Sequence, residues 1–311
     1  MTKIAIVGCT GKLGSSIMNK ILNKNDVSLQ YAIARKGNST VGQDISIVLG
    51  GKERNIMIID DICDATDCDV FIDCTNADTF IRNSLAKYKI MQKPVVIATT
   101  AFSADNQAEI NTLATQIPVF MTGNFSIALH DFIETLKFAA KRISTDTDIQ
   151  IVEYHHNQKV DAPSGTAIMI RDALLQANSA LTADKIHICS VRGGNIFGEH
   201  EVIFANCNDE VITYKHQVSS RETFANGAVE TAIWTTQQNP GLYSMDDFLK
   251  IANRQPLSAI FLILYPHNHP ILLHPIINLE QVRQQLRSCH KLPIKRSAII
   301  RRTLQKGFHF L

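Results

Sequence analysis

Lys3-Ile4-Ala5-Ile6-Val7-Gly8-Cys9-Thr10-Gly11-Lys12-Leu13-Gly14 is a short apolar run that breaks into three glycines spaced GxxGxxG and resumes at helical spacing through Asn23. A strand that is apolar at every position expects burial on both faces, as in a parallel sheet. Glycines at the turn from strand to helix let backbone N–H groups approach an anion at the positive end of that helix. The spacing differs from the commoner GxGxxG. The place of the loop, as the first turn between strand and helix, therefore carries more of the argument than the motif itself.

Working outward, further short apolar runs at 28–34, 56–59, 70–73, 95–98 and 118–121 alternate with helical stretches such as 79–89 and 104–115. That rhythm predicts a Rossmann-like, doubly wound α/β domain. After Asn124 it changes to a helix over 129–142, a strand over 148–154, a loop rich in histidine, lysine and proline, and a helix over 166–177. Strands at 185–191, 200–205 and 210–217 follow, predicting an α+β domain with an open mixed sheet, mostly antiparallel. Residues 1–126 then form a dinucleotide-binding domain, with 220–249 packing back on it, and 127–219 a second domain.

Where an NAD-preferring fold places a carboxylate after its second strand, this chain has Ala32-Ile33-Ala34-Arg35-Lys36. Arg35, Lys36 and Lys12 suit the 2′-phosphate of NADPH through charge-assisted hydrogen bonds.

The chain has 311 residues, 45% of them apolar, enough for about two domains with real cores. Its seven cysteines include no CxxC pair, and Cys63 and Cys68 have no histidine beside them, so reduced thiols and no metal are expected. The N-terminus runs into a strand without the basic and long apolar regions of a secretory signal, which predicts a cytoplasmic protein. The formal charge of +2 hides an asymmetry: residues 251–311 carry nine Lys or Arg against Glu280 alone, whereas the first 250 carry 22 basic and 28 acidic groups. Apolar residues 257–265 are cut short at Pro266, well under the ~20 a membrane-spanning helix needs. His267 and His269 lack a third ligand. The segment reads as a basic extension without a catalytic part, and no nucleic acid or membrane partner is expected for 1–249.

The stretch Glu153-Tyr154-His155-His156-Asn157-Gln158-Lys159-Val160-Asp161-Ala162-Pro163-Ser164-Gly165-Thr166-Ala167 concentrates titratable groups between a strand and a helix start. Two imidazoles and an ammonium offer a proton donor and cationic contacts for an anionic substrate. Ser164-Gly165-Thr166 would cap the next helix and present N–H donors to a carboxylate. Neighbouring residues on a strand face opposite ways, so the strand must end or bulge for His155 and His156 to share one pocket.

This stretch resembles the E-x-H-H-x-x-K-x-D-A-P-S-G-T-A signature of the dihydrodipicolinate reductase family. Gly123-Asn124-Phe125-Ser126, Gly198-Glu199-His200 and Ser220-Arg221-Glu222-Thr223-Phe224-Ala225-Asn226-Gly227-Ala228 fall in the family's order, and the resemblance spans 1 to about 250. It implies NAD(P)H-dependent reduction of a cyclic dicarboxylate in diaminopimelate and lysine synthesis, by a homotetramer built through the second domain. The family's catalytic histidine matches His155, its proton-donating lysine Lys159, and its substrate-binding positions His156, Gly165 and Thr166. Cofactor contacts match Gly8, Cys9, Thr10, Gly11, Lys12, Leu13, Arg35, Ala98, Thr99, Thr100, Thr122, Gly123, Asn124 and Phe125. The chain departs from the family at Lys12-Leu13, where Arg-Met is usual, and at Ala98, Ala101 and Ala128, where glycine is common. Competing expectations are another Rossmann-type dehydrogenase, which would need a reactive cysteine or acid–base set elsewhere, and an impaired relative with a binding role in its tail.

Overall fold

The computed structural model describes residues 1–144 and 146–251. The expectations for the basic extension beyond Ile251 fall outside these residues. In chain order the first part contains β1 (Thr2–Val7), α1 (Lys12–Leu22), β2 (Val27–Ile33), α2 (Ser46–Leu49), β3 (Ile58–Ile59), β4 (Val70–Asp73), α3 (Ala77–Thr79), α4 (Leu85–Met91), β5 (Val95–Ile97), α5 (Ala104–Ala114) and β6 (Pro118–Met121). Then come α6 (Ile127–Ala140), β7 (Asp148–His155), α7 (Gly165–Ala177), β8 (Ile186–Arg192), β9 (Gly198–Ala205), β10 (Val211–Val218), α8 (Glu222–Thr235), β11 (Gly241–Tyr243) and α9 (Met245–Ile251).

Seven strands make one sheet in the order β11-β6-β5-β4-β1-β2-β3, and every pairing in it is parallel. Ile4, Ala5 and Ile6 of β1 are fully buried because strands flank them and helices cover both faces. On one face Ile17, Met18 and Ile21 of α1 join Ala225, Ala228, Val229 and Ala232 of α8; on the other Leu85, Tyr88, Ile110 and Leu113 close the layer. Each such Ile, Leu or Met contributes roughly 1.5–3 kcal/mol on burial. The chain runs from β1 to β2 on one side and returns to β4 on the other. This is the switch point outside which nucleotide sites form, at the carboxyl ends of the strands.

The second sheet has the order β10-β9-β7-β8. β7 and β9, and β9 and β10, are antiparallel, while β7 and β8 are parallel. Ile133 and Leu136 of α6 and Ile170 and Leu174 of α7 pack on Ile149, Ile151, Val202 and Phe204. The opposite face looks to solvent: Val191 is 40% exposed, and Lys215 there bridges Glu199 at 2.8 Å and Glu201 at 3.0 Å. The helix expected over 79–89 is less regular than its pattern, because a π-helical turn, Phe80–Ser84, separates α3 from α4.

Candidate active site

Along β7 the side chains of Ile149, Ile151, Glu153 and His155 alternate inward, so strand period two carries the same row from apolar core to charged site. The strand ends at His155. The chain then turns, with Asn157 N donating to Gly194 O at 3.2 Å and Lys159 N to His156 O at 3.1 Å. That turn resolves the conflict between adjacent histidines, and both rings line a cavity of about 230 Å³ with Lys159, Thr166, Asn124 and Gly198.

Beneath the cavity lies a buried network. The Glu153 carboxylate accepts from Arg192 Nη2 at 2.8 Å, from Ser164 N at 3.3 Å and from Nδ1 of His155. Burial pushes the Glu153 carboxyl up, but the hydrogen bonds from Arg192, Ser190 and His155 together hold it at about 2. Burial lowers the His155 pKa, against the pull of Glu153. With Nδ1–H donating to the Glu153 carboxylate, neutral His155 presents an Nε2 lone pair on the Gly198 side, where a Cβ added at Gly198 would stand 3.2 Å from that nitrogen. His200 packs edge-on against His155 at 5.4 Å, and burial, then repulsion from His155, depresses it to about 3. Its Nε2 lies 3.3 Å from Ser164 Oγ, the cap of α7. Glu153, His155 and His200 offer ligand atoms within 4.8 Å of one another, but the Arg192 guanidinium on Glu153 opposes a cation there, so the trio reads as a proton-holding network.

Lys159 Nζ binds both oxygens of Asp161, at 2.9 and 2.8 Å, and Arg192 also reaches Asp161 O at 2.7 Å. Thr166 Oγ1 accepts from Asn124 Nδ2 at 3.2 Å, a direct tie between the loop after β6 and the start of α7. The structure therefore brings His155, His156, Lys159 and Thr166 to one cavity. Gly165 instead lines the adjoining cleft with Thr122 and Gly123.

Residues matched to cofactor contacts follow the carboxyl ends of the parallel strands: Gly8–Leu13 after β1, Arg35 after β2, Ala98–Thr100 after β5 and Thr122–Phe125 after β6. Gly8 has φ +83°, and a Cβ there would stand 2.9 Å from Cys74 O; at Gly14 it would stand 2.4 Å from Gly8 O. Only glycine fits both. α1 starts without a side-chain cap or an acidic residue in its first turn, leaving its N–H groups for an anion. Thr99 is buried with its hydroxyl unpartnered among the described residues. Arg35 and Lys36 are exposed, without an ion pair among those residues. Ala101 adopts φ +64°, a conformation natural to glycine, whereas Ala128 sits exposed in the first turn of α6.

Sequence reasoning assigned no role to Glu153, Arg192 or His200. Glu153 had one local signal, its place two residues before His155 on the same strand face; Arg192 is 39 residues away and only the β7–β8 pairing unites them.

Two family profiles divide the described chain: the dihydrodipicolinate reductase N-terminus matches residues 2–125 and its C-terminus residues 128–249. The chain belongs to the dihydrodipicolinate reductase family. Among curated relatives, the 4-hydroxy-tetrahydrodipicolinate reductase of Roseobacter denitrificans is 36% identical over 264 residues, covering 79% of this chain and 96% of the relative. That of Buchnera aphidicola subsp. Acyrthosiphon pisum is 35% identical over 268 residues, covering 80% and 98%. Among solved structures, a dipicolinate-bound dihydrodipicolinate reductase from Paenisporosarcina sp. TG-14 shares the fold at TM-score 0.64 and 21% identity, covering 78% of this chain and 97% of that one. The fold extends to an amine dehydrogenase from Mycobacterium smegmatis, at TM-score 0.53, 14% identity and 79% and 95% coverage. Membership in the reductase family sets aside the other dehydrogenase class raised by the sequence. No helix among the described residues is long and apolar enough to cross a membrane.

Proposed function

We propose that this chain catalyses NAD(P)H-dependent reduction of 4-hydroxy-tetrahydrodipicolinate in diaminopimelate and lysine biosynthesis, with NADPH slightly favoured. The observation that carries this reading is the convergence of His155, His156, Lys159 and Thr166 on one cavity that Asn124, from the end of the parallel sheet, also lines. The intact acid–base set argues against an impaired relative.

The turn of Gly8 to Leu13 would hold the pyrophosphate, Arg35 the 2′-phosphate, and Ala98–Thr100 with Thr122–Phe125 the nicotinamide half. When bound, the reduced nicotinamide supplies a hydride to a ring carbon conjugated with the substrate's imine. Lys159 then delivers the proton that the resulting enamine needs. His155 is kept neutral by burial and is oriented by Glu153, so its Nε2 accepts rather than gives a hydrogen bond near neutral pH. It serves as a positioned base that holds the reacting ring by accepting a hydrogen bond at Nε2, and the Lys159 amine left after proton transfer is reprotonated from solvent. His156 and Thr166 bind substrate carboxylate, Thr166 with the N–H groups that open α7, and Gly165 leaves room at that helix start.

The 1–126 segment acts as the nucleotide domain and 127–219 as the substrate domain. The solvent-facing side of the second sheet is the surface through which we expect a homotetramer to form; light scattering should give the mass of four chains, and Val191→Glu should lower it. Six unpaired cysteines among the described residues accord with a reducing cytoplasm. The deciding assay follows loss of reduced-nicotinamide absorbance with substrate generated enzymatically in place. No turnover with either cofactor would overturn the proposal.

A further inference from the structure

Residues 122–126 carry the chain from β6 of the first sheet to α6 of the second domain. Thr122–Phe125 stand among the proposed cofactor contacts, and Asn124 also lines the catalytic cavity. The placing of this crossing segment therefore sets how the nicotinamide meets the substrate. Asn124 is pinned at each of its polar groups. Its N–H donates to Thr122 Oγ1 at 3.2 Å, and its Oδ1 accepts from Ser126 N at 2.8 Å, which turns Nδ2 toward Thr166 Oγ1 at 3.2 Å. Its carbonyl accepts from Thr122 Oγ1 and from His130 Nε2, each at 3.0 Å.

His130 lies one turn into α6, and its ring reaches back past the Ser126 cap to the crossing segment. The ring is 9% exposed. A carbonyl oxygen can only accept, so Nε2 carries the ring's proton. Burial lowers the His130 pKa, against the Asn124 hydrogen bond and the charges of Asp246 and Asp131, and the ring is neutral near neutral pH. The next peptide meets α8: a Cβ at Gly227 would stand 1.8 Å from Phe125 O, so only glycine allows that approach. Two helices thus hold the crossing segment, α8 by contact and α6 by a hydrogen bond. His130 itself lines the adjoining cleft with Thr122, Gly123 and Gly165, and it reaches the catalytic cavity only through Asn124.

Resting on the reductase reading above, we infer that His130 is a positioning residue for hydride transfer: it locks the crossing segment that joins the cofactor contacts to the catalytic cavity. With the Asn124 carbonyl held, the side-chain tie to Thr166 keeps the two halves of the site at a fixed separation. Without it the segment gains freedom, and the reacting atoms spend less time at bonding distance.

The test is steady-state kinetics of the full-length chain with enzymatically generated substrate and reduced cofactor carrying deuterium at the transferred position. His130→Phe and His130→Leu remove the donor, whereas His130→Gln keeps an N–H at similar reach. The donor-free variants should lose kcat roughly 10-fold, with an isotope effect on kcat at least as large as that of the wild type, because hydride transfer is the slowed step. His130→Gln should recover most of the loss, and melting temperatures identify the variants that fold. An unchanged kcat, a loss accompanied by a smaller isotope effect, or no recovery in His130→Gln overturns the role. Unfolding of both donor-free variants also overturns it, since the contact would then serve stability alone. Absence of turnover in the wild type overturns instead the reductase reading on which the inference rests.

Discussion

A single proton decides how the catalytic pair divides its work. The Glu153 carboxylate accepts a hydrogen bond from His155 Nδ1, which keeps the ring's single proton on that nitrogen, and the cavity receives an Nε2 lone pair on one side and the Lys159 ammonium on the other. Lys159→Ala and His155→Ala should each lower kcat about 100-fold or more, the usual scale for proton transfer, whereas His156→Ala should act mainly on KM. Steady-state kinetics decide this, and wild-type kcat in the first two variants would refute the assignment. Cofactor choice rests on Arg35, so Arg35→Ala should reduce kcat/KM for NADPH by roughly 10-fold, one lost charged contact, and leave NADH nearly unchanged. Equal losses with both cofactors would place Arg35 outside the phosphate site. The left-handed backbone of Ala101 strains a residue that carries a Cβ. Ala101→Gly should relieve that strain and raise stability by about 1 kcal/mol in denaturant titration, and an unchanged or lowered midpoint would refute it.

At the level of elements, the sheet edge and the α7 cap act as one unit, because Ser164 caps the helix and contacts both Glu153 and His200. His200 is depressed from 6.5 to about 3, so the unfolded chain takes up a proton that the folded one refuses. Its contribution is therefore intact above pH 6.5 and is lost as pH falls from there toward 3. Unfolding free energies measured across that window should fall with pH, and the slope should flatten in His200→Asn; parallel curves for the two proteins would refute the linkage. Elements with a strong period were legible in the sequence: the β1 run, the glycine turn and the helices that carry Ile17 or Ile170 declare their buried faces locally. β11 was not, since three residues hold no period and Gly241–Tyr243 become a strand only by lying beside β6. In the site, His155, His156, Lys159 and Thr166 were legible through a resemblance of consecutive residues. The Glu153–Arg192 pair depends on strand neighbours, which no spacing along the chain announces.

For the molecule as a whole, the reductase match ends at residue 249, while the strongly basic composition begins just after it. A chain ending at residue 250 should oligomerise and reduce substrate at a rate within about twofold of the full chain and should be more soluble, having shed a net charge of +8 and an apolar run. Size-exclusion profiles and turnover of the two chains settle the point; loss of either property on truncation would make the extension part of the working enzyme. The return of α8 and β11 to the first sheet has a consequence for synthesis. When β6 leaves the ribosome, one face of that sheet still lacks Ala225, Ala228, Val229 and Ala232, and its β6 edge is bare. The nascent nucleotide half must wait, partly uncovered, while the whole substrate half is translated. During this interval, more than in the finished enzyme, uncovered apolar surface and a bare strand edge leave the chain open to aggregation.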